Sequence, residues 1–537
     1  MGRWVFALIV FVVMCVPAFL YWQALGQPVD MPDVAGGRFS CVSYTPYAPG
    51  GSPLDKDYAV DPDIIRADLM ALRPLTDCLR TYSSLGPQGD VVRIAADLGM
   101  HVQQGIWISG DAENDAKEIE GGLALAREHP ATVRALIVGN EVLLRREMAG
   151  DRLAGIIRSV KAETSVPVTY ADIFEFWRRS PVVAEAVDFL SLHILPHWDD
   201  PRPVSIDAVQ DHVAAIVARA RETFPGKAMA IGEIGWPSAG RTRGAAVPSR
   251  VNEARFLREF STNAGRLGLP YNIIEGKDQP WKRGPEGTVG GYWGILDEAL
   301  MAKFPLTGPV AEWPNWRWAF AASMVGAAAL FTFGVGRARE RSLSPMRAAG
   351  LAGFCVAVGS LAVLSIEHIR VTSLFAPMWA ANLFTLLVAV ALSLLAVMAV
   401  AGAGAGLTVR RAAPLAEIAA WARGGFPGDF DAPRLSGLLA GWVLLALTVE
   451  NLWLAFDGRH RDLPVALCLW LGLTLWARPS SVPARGAEEK WLALTVVACA
   501  PFTLDGPDNV EAMAWAVVSA AAALAWLSAR IRRPQVG

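Results

Sequence analysis

Between Phe39 and Glu275, eight short β-prone runs alternate with helical patterns. The runs are Phe39–Tyr44, Asp77–Tyr82, His101–Ile108, Val133–Gly139, Pro167–Tyr170, Asp188–His193, Ala228–Glu233 and Tyr271–Glu275. Amphipathic stretches such as Asp63–Leu72 and Val209–Thr223 lie between them. Strand–helix alternation favours parallel pairing, because the crossover returns the chain to the same end of the sheet. Eight such units over about 270 residues predict an α/β fold of the (β/α)8 TIM-barrel type. In that fold the functional end lies at the carboxyl termini of the strands.

Beyond about Trp313 the pattern changes to long apolar runs separated by short, Arg-rich loops. All eight tyrosines precede residue 293, and the whole chain is 53% hydrophobic and 19% charged. An α-helical transmembrane bundle after the barrel is the expectation. Seven segments qualify, at approximately 316–335, 348–366, 376–402, 435–456, 463–477, 491–504 and 512–529. At the amino terminus, Arg3 precedes an apolar stretch, Trp4–Leu25, that is long enough to span a bilayer. It serves either as an uncleaved anchor or as a signal peptide, since Ala24-Leu25-Gly26 resembles a small-x-small cleavage site. Cys15 is a poor lipid-attachment site because the large Met14 precedes it. The expected division is residues 1–26 as anchor or signal, 27–312 as the exported catalytic barrel, and 313–537 as a polytopic membrane domain.

Basic residues test the topology. Arg337, Arg339, Arg341 and Arg347 follow the first segment, and Arg410, Arg411, Arg423 and Arg434 follow the third. Arg478, Arg485 and Lys490 follow the fifth, and Arg530, Arg532 and Arg533 follow the last. These clusters fall on alternate loops and put the carboxyl end in the cytoplasm and the barrel on the exported side. The loop with Arg459 and Arg461 dissents. Trp313, Trp316 and Trp318 would form an interfacial belt. Glu367, Glu450 and Glu511 lie toward the exported helix ends. They could line a glycan path, although interfacial solvation is the plainer reading. A net charge of -2 argues against nucleic-acid binding. Cys15, Cys355, Cys468 and Cys499 read as packing residues. Cys41 and Cys78 fall on neighbouring strands where a bridge is chemically allowed, but the reading assigns none.

Two strand ends carry carboxylates: Val138-Gly139-Asn140-Glu141 after the fourth run and Ile231-Gly232-Glu233 at the seventh. Singly, each glutamate reads as a helix-start residue. Together, at the carboxyl end of a barrel, they form the pair that cleaves or transfers glycosidic bonds. No metal or cofactor is expected, because the seven histidines show no ligand spacing. Aromatic residues near strand ends could stack on sugar faces, namely Tyr44, Tyr82, Tyr170, Trp177, Trp198, Trp236 and Trp281, with core packing as the alternative. Asp199 and Asp200 read as a solvated loop.

The segment Ile231-Gly-Glu-Ile-Gly-Trp-Pro-Ser-Ala-Gly240 resembles the nucleophile signature of glycoside hydrolase family 17, the β-1,3-glucanases and glucanosyltransferases. Val138–Glu141 resembles the acid/base position of the same clan, Leu79-Arg80-Thr81-Tyr82 its second strand, and Glu275–Lys282 with Tyr292–Ile295 its eighth-strand segment. Two positions depart: His193-Ile194-Leu195-Pro196 replaces the usual Asn-x-Tyr-Pro, and Gln279 stands where relatives often carry Glu. The resemblance implies a retaining mechanism with Glu233 as nucleophile and Glu141 as acid/base, about 5–5.5 Å apart. It implies a raised pKa for Glu141 and an ionised Glu233. It also implies sugar binding by Asn140, Tyr44, Tyr82, Tyr170, His193, Trp236, Glu275 and Lys282. The layout of barrel plus helices resembles bacterial inner-membrane proteins of periplasmic β-(1,3)/(1,6)-glucan synthesis, the rhizobial NdvC type. Expected partners are β-1,3-glucan, the lipid bilayer and a membrane glucan synthase. Transfer, hydrolysis, and glycan binding or transport with an inactive barrel remain open at this point.

Overall fold

The structure is a computed structural model that describes residues 2–47, 50–55, 58–198, 201, 203–338, 344–401, 415–424, 432–476 and 487–528. Asp199, Asp200, Arg339, Arg341, Arg410, Arg411, Arg478, Arg485, Arg530, Arg532 and Arg533 lie outside the described residues. The chain forms two compact units, Pro28–Val310 and Met1–Gln27 with Ala311–Gly537.

The first unit is a closed parallel barrel of eight strands. They are β1 (Cys41–Ser43), β2 (Cys78–Arg80), β3 (His101–Ile106), β4 (Val133–Asn140), β5 (Val168–Ile173), β6 (Phe189–Ile194), β7 (Ala228–Ile234) and β8 (Tyr271–Ile273). All eight predicted runs are strands, with ends differing by a few residues. β1 closes the barrel on β8 through Cys41↔Asn272 and Val42↔Ile273. Apolar strand residues such as Leu79, Val102, Leu136 and Leu192 share one core with helix residues such as Ile65, Leu69, Ile157 and Phe256. Helices start where the sequence supplies a cap: Asp61 accepts from the Asp63 N–H at 2.9 Å, and Ser249 from the Asn252 N–H at 3.1 Å.

Besides one slip between Val102 and Gln103 on β3, parallel registers slip near strand ends at three further places: between Ile137 and Asn140 on β4, between Leu192 and His193 on β6, and between Ile231 and Ile234 on β7. Such irregularities re-aim side chains at strand ends. Here the last three fall where Glu141, His193 and Glu233 emerge.

One expectation is overturned. Cys41 and Cys78 form a disulfide with Cα atoms 4.5 Å apart. The pairing Val42↔Leu79 sets the two cysteines side by side on adjacent strands, so no backbone movement is needed to join them.

In the second unit, six helices are long and apolar enough to cross a membrane: Trp4–Leu25, Trp316–Arg337, Pro345–Thr372, Ala376–Val400, Gly437–Phe456 and Val510–Leu527. Among the described residues, the predicted segments 463–477 and 491–504 hold the helices Val465–Trp476 and Ala487–Cys499, of 12 and 13 residues, the second followed by a 3-10 turn at Ala500–Thr503. At about 1.5 Å per residue they fall well short of a hydrocarbon core of about 30 Å. The amino-terminal helix is part of this packing. Its Ala7, Phe11 and Ala18 are buried in one cluster with later helices, Phe11 stacks on Phe331 at 4.8 Å, and buried Trp22 meets Trp313, just before the next helix, edge-on at 5.1 Å. The dissenting loop also has a local explanation. Arg461 donates to the Leu454 carbonyl at 2.9 Å and to the Ala455 carbonyl at 3.4 Å, capping a helix end where a cation is favoured.

The disulfide yields a test. It closes a loop with a sequence separation of 37 residues, and removing such a link costs about 3–4 kcal/mol in the chain-entropy account. The double variant Cys41→Ser/Cys78→Ser is expected to lose about that much in the barrel's unfolding transition. Denaturant unfolding of the full chain in detergent, followed by tryptophan fluorescence, measures it. Reductant should shift wild type toward the variant and leave the variant unmoved.

Candidate active site

The end of β4 leaves extended geometry at Gly139, with φ +88°. A Cβ there would lie 2.8 Å from Val142 Cγ2, so glycine is required. Glu141 itself has φ +53°, a sparsely populated conformation for a residue with a side chain. The following loop is held from below. The Leu143 N–H donates to the Tyr170 hydroxyl at 2.9 Å, and the Leu144 N–H to Asp172 Oδ2 at 3.3 Å. The Tyr170 hydroxyl in turn donates to the same Asp172 oxygen. Arg145 clamps the loop by bonding the Asn140 carbonyl and Glu147 Oε2, and it lies 4.4 Å from the Trp107 ring centroid.

Glu233, at the end of β7, is 4% exposed. Its Oε1 accepts from Arg80 Nη1 and from the Tyr82 hydroxyl, the latter at 2.9 Å. Arg80 Nη2 donates to Asn140 Oδ1 at 2.5 Å, so one guanidinium ties the end of β7 to the end of β4. Tyr82 is fixed by Ser43 Oγ, 3.0 Å away, which also accepts from Asn272 Nδ2 at 2.6 Å. Gly232 is needed for space. A Cβ there would lie 2.3 Å from Ser191 Oγ and 3.0 Å from His193 Cδ2.

His193 sits between the two glutamates. Its Nδ1 is 2.9 Å from Glu141 Oε1, and its Nε2 is 3.6 Å from Glu233 Oε1. Burial alone pushes the Glu233 carboxyl up. The charges of His193 and Arg80, the Tyr82 hydrogen bond and Lys282 outweigh it and hold the carboxyl below its ordinary range. Burial likewise pushes His193 down, but Glu233 and Glu141 outweigh it and leave the imidazole above its ordinary range. Beside them, Lys282 Nζ lies 3.0 Å from both oxygens of Glu275. Burial takes Glu275 up to about 7, and Lys282 limits the rise.

Glu141, His193 and Glu233 also bring one potential ligand atom each within 4.8 Å of one another. Sequence spacing gave no hint of this cluster, because three distant strands assemble it. The donor set suits a shared proton better than a divalent ion. Arg80 already places a positive charge on the Glu233 oxygen that would bind the ion, and the two cations would repel.

The predicted site residues separate into two groups. Glu141, Glu233, Asn140, Tyr82 and His193 converge around Arg80, with Glu275 and Lys282 adjacent. Tyr44, Tyr170 and Trp236 do not reach the cleft surface, at 1%, 0% and 0% exposure. Ser43 faces the barrel interior, so its neighbour Tyr44 points to the helix layer, where its hydroxyl donates to Asp68 at 2.6 Å. Tyr170 supports the β4 loop. Trp236 packs on Phe256 and donates to the Val247 carbonyl at 3.0 Å. Trp177 is fully buried as well, while Trp198 and Trp281 remain partly exposed. Gln279 is buried and accepts from Trp281 Nε1 at 2.9 Å. Sequence reasoning missed Arg80, Asp172, Trp107 and Arg145 as site residues. The available signal was a charged residue inside an apolar β-run, as at Arg80 and Asp172. A cavity of about 540 Å³ borders His193, between the end of β5 and helix Val209–Thr223, lined by Phe174, Leu195 and Arg219 among others.

Arg80 generates a test that needs no assay of turnover. Arg80→Met leaves Glu233 buried without its cation, which is expected to cost about 3–5 kcal/mol at pH 7. Arg80→Met/Glu233→Gln should recover most of that loss. The pH sign follows from the depressed Glu233 pKa. In wild type the pair's contribution is present above the unfolded carboxylate pKa and fades as pH falls through the lower folded value. In Arg80→Met the carboxyl is held down less strongly against burial, and the deficit should shrink toward pH 5. Unfolding free energies at pH 5 and 7 check both points, and a deficit that Glu233→Gln fails to relieve counts against the pairing.

Comparison with known proteins places the barrel. Residues 41–294 match the family described as the BtgE/BtgC glycoside hydrolase domain. The chain is similar to a glucan 1,3-beta-glucosidase of Schizosaccharomyces pombe, 27% identical over 264 residues that cover 45% of this chain and 79% of the relative. It is similar to a probable beta-glucosidase btgE of Neosartorya fischeri, 26% identical over 271 residues that cover 49% of this chain and 47% of the relative, about half of that protein's length. Among solved structures, a glycoside hydrolase family 17 beta-1,3-glucanosyltransferase from Rhizomucor miehei is 25% identical, with a TM-score of 0.44, covering 50% of this chain and 97% of that one. The barrel is thus similar to glycoside hydrolase domains found in glucan 1,3-beta-glucosidases.

Proposed function

We propose that the barrel is a retaining β-1,3-glucan glucanosyltransferase, with Glu233 as nucleophile and Glu141 as acid/base. One observation carries this reading: the carboxyl oxygens of Glu141 and Glu233 approach within 4.8 Å, in unlike surroundings. Retaining enzymes need about 5–5.5 Å between the groups, and inverting enzymes leave about 6.5–9.5 Å for a water. Glu233 is buried against Arg80 and Tyr82 and stays ionised for attack on the sugar carbon. The Glu141 side chain is 22% exposed at the mouth, open to a leaving-group oxygen. Asn140 is positioned by Arg80 to meet a sugar hydroxyl. β-1,3-glucan as substrate is supported by relatives named as glucan 1,3-beta-glucosidases.

Transfer needs an acceptor site, because water competes at about 55 M and only a held hydroxyl of high effective concentration wins. Trp198, Trp281 and the cavity beside His193 supply surface for such a site. Tyr47, 6.3 Å from the Trp281 ring, extends it. We further propose that the amino-terminal helix stays in place as an anchor, since Phe11 and Ala18 are packed among later helices and Trp22 meets Trp313. The barrel would then face the bacterial periplasm, joined to a multi-pass inner-membrane domain, in β-(1,3)/(1,6)-glucan synthesis of the NdvC type beside a membrane glucan synthase. The Cys41–Cys78 bridge supports an oxidising compartment.

Incubating the full chain in detergent with a linear β-1,3-linked glucose hexasaccharide should give longer products early, before small sugars accumulate. Only shorter sugars, even at high acceptor concentration, would make the protein an endo-glucanase. Glu233→Gln should lower turnover by about 10⁴-fold or more without unfolding the barrel, and near-wild-type turnover removes Glu233 as nucleophile. Absence of any turnover in the wild type would leave glycan binding or transport as the function.

Topology has its own test. Alkaline phosphatase fused after residue 300 should be active, and the same fusion after Gly537 should be inactive. The reverse pattern overturns the orientation.

A further inference from the structure

At the position where the resemblance expects Asn, this chain carries His193, and the structure sets it in contact range of both glutamates. It is 2% exposed, on β6, whose register slips just before it. Nδ1 is 2.9 Å from Glu141 Oε1. Nε2 has no hydrogen-bond partner among the described residues and faces Glu233 Oε1 at 3.6 Å. Gly232 is the residue that leaves room for the ring.

We propose that His193 and Glu141 hold the acid/base proton jointly, and that His193 reads the charge on Glu233, retaining the proton in the free enzyme and releasing it once Glu233 is esterified. The inference deepens the proposed function and rests on Glu233 as nucleophile. His193 does not touch the reacting atoms. It acts through Glu141 and is a positioning residue.

The cycle balances. In the free enzyme one proton lies between His193 Nδ1 and Glu141 Oε1, and ionised Glu233 favours positive charge on the imidazole. Attack by a Glu233 oxygen forms its bond to the sugar carbon as the glycosidic bond breaks. The shared proton goes to the departing oxygen through Glu141. Esterified Glu233 no longer carries charge, so the imidazole loses its electrostatic support and stays neutral. Glu141 is then a free base. An acceptor hydroxyl attacks the sugar carbon and gives its proton back to the pair as Glu233 leaves ionised. No oxidant, metal or further reactant is involved.

Other charges face His193 and must be counted. Arg80, from β2, opposes a second cation, and Asp172, from β5, favours one. Across the adjoining cavity stand Glu175, Arg178, His212 and Arg219. Glu141 and Glu233 are the groups within 4 Å, so they dominate.

The experiment uses the full chain in detergent and has two arms. In the first, kcat/KM on the β-1,3-linked hexasaccharide is measured against pH for wild type, His193→Asn and His193→Gln. A proton held by carboxylate alone is lost nearer the carboxylate range, and the reference values differ by about two units. The alkaline limb should therefore move to lower pH by more than about one unit. An unmoved limb with intact folding overturns the proposal. In the second arm, histidine labelled with ¹³C is titrated by NMR in wild type and Glu233→Gln, with His193 assigned by its loss in His193→Asn. Neutralising Glu233 should move the His193 titration to lower pH, and an unchanged titration overturns the proposal whether or not the variants turn over. Lack of turnover by wild type would defeat the functional reading, and the NMR arm would still decide the coupling.

Discussion

Glu233 is a carboxylate that burial should neutralise and that its neighbours nonetheless hold below its ordinary range. An unpaired buried charge costs several kcal/mol, and a protein of ordinary stability cannot carry many. With His193 beside it, Arg80 resolves the conflict. It is itself 1% exposed, ends the strand opposite, and bonds Glu233, the Gly232 carbonyl and Asn140 at once. Around that guanidinium the ends of β2, β4 and β7 have fixed positions relative to one another. Tyr82 and Ser43 add a neutral arm from β2 and β1. The arrangement explains why short strands suffice here: polar bonds between strand ends, and not only the ladder, define the mouth of the barrel.

A second network of the same kind lies to one side. Lys303 donates to Ser238 Oγ at 2.7 Å and pairs with Asp278 and Glu253 at 3.0 and 3.1 Å. Burial takes Glu253 up to about 8 and Asp278 up to about 6, even with the lysine present. This cluster ties the segment after β7 to the segment after β8. At β5, Asp172 anchors the loop after Glu141 by backbone bonds and is not itself in the Glu141–His193–Glu233 cluster.

Strand order and the two glutamates were legible because both depend on local signals. A β-branched run needs only its own residues to declare itself, and a glutamate after Gly139-Asn140 or Gly232 sits at a strand end whatever surrounds it. The aromatic assignments failed where facing mattered. Tyr44 and Tyr82 look alike in sequence, each at the end of an apolar run. Tyr82 shares the inward parity of Arg80, and Tyr44 takes the outward parity opposite to Ser43. A shift of one residue exchanges cleft for core. The disulfide was unassigned for the same reason, since only the register Val42↔Leu79 brings Cys41 beside Cys78. His193 read as a departure from a family motif. Its place between the glutamates depends on a register slip that no local pattern encodes.

The helical unit holds apolar helices of unequal described length. Hydropathy marks Val465–Trp476 as strongly as its neighbours, yet its 12 residues make a rod of about 18 Å. Such a helix can be buried among longer ones without crossing a bilayer. Trp470 follows that pattern, 3% exposed and donating to Ser393 Oγ at 2.8 Å. Asn451 does the same from Ala432–Phe456, with Ser519 donating to it at 3.4 Å. Polar contacts between apolar helices hold their relative rotation, because the surrounding apolar side chains offer no competing partner. Arg461 extends the argument to loops. Its guanidinium is bound by helix-end carbonyls, so its charge answers to the helix first and to membrane orientation second. Charge counting reads orientation best where the arginines have no such local partner.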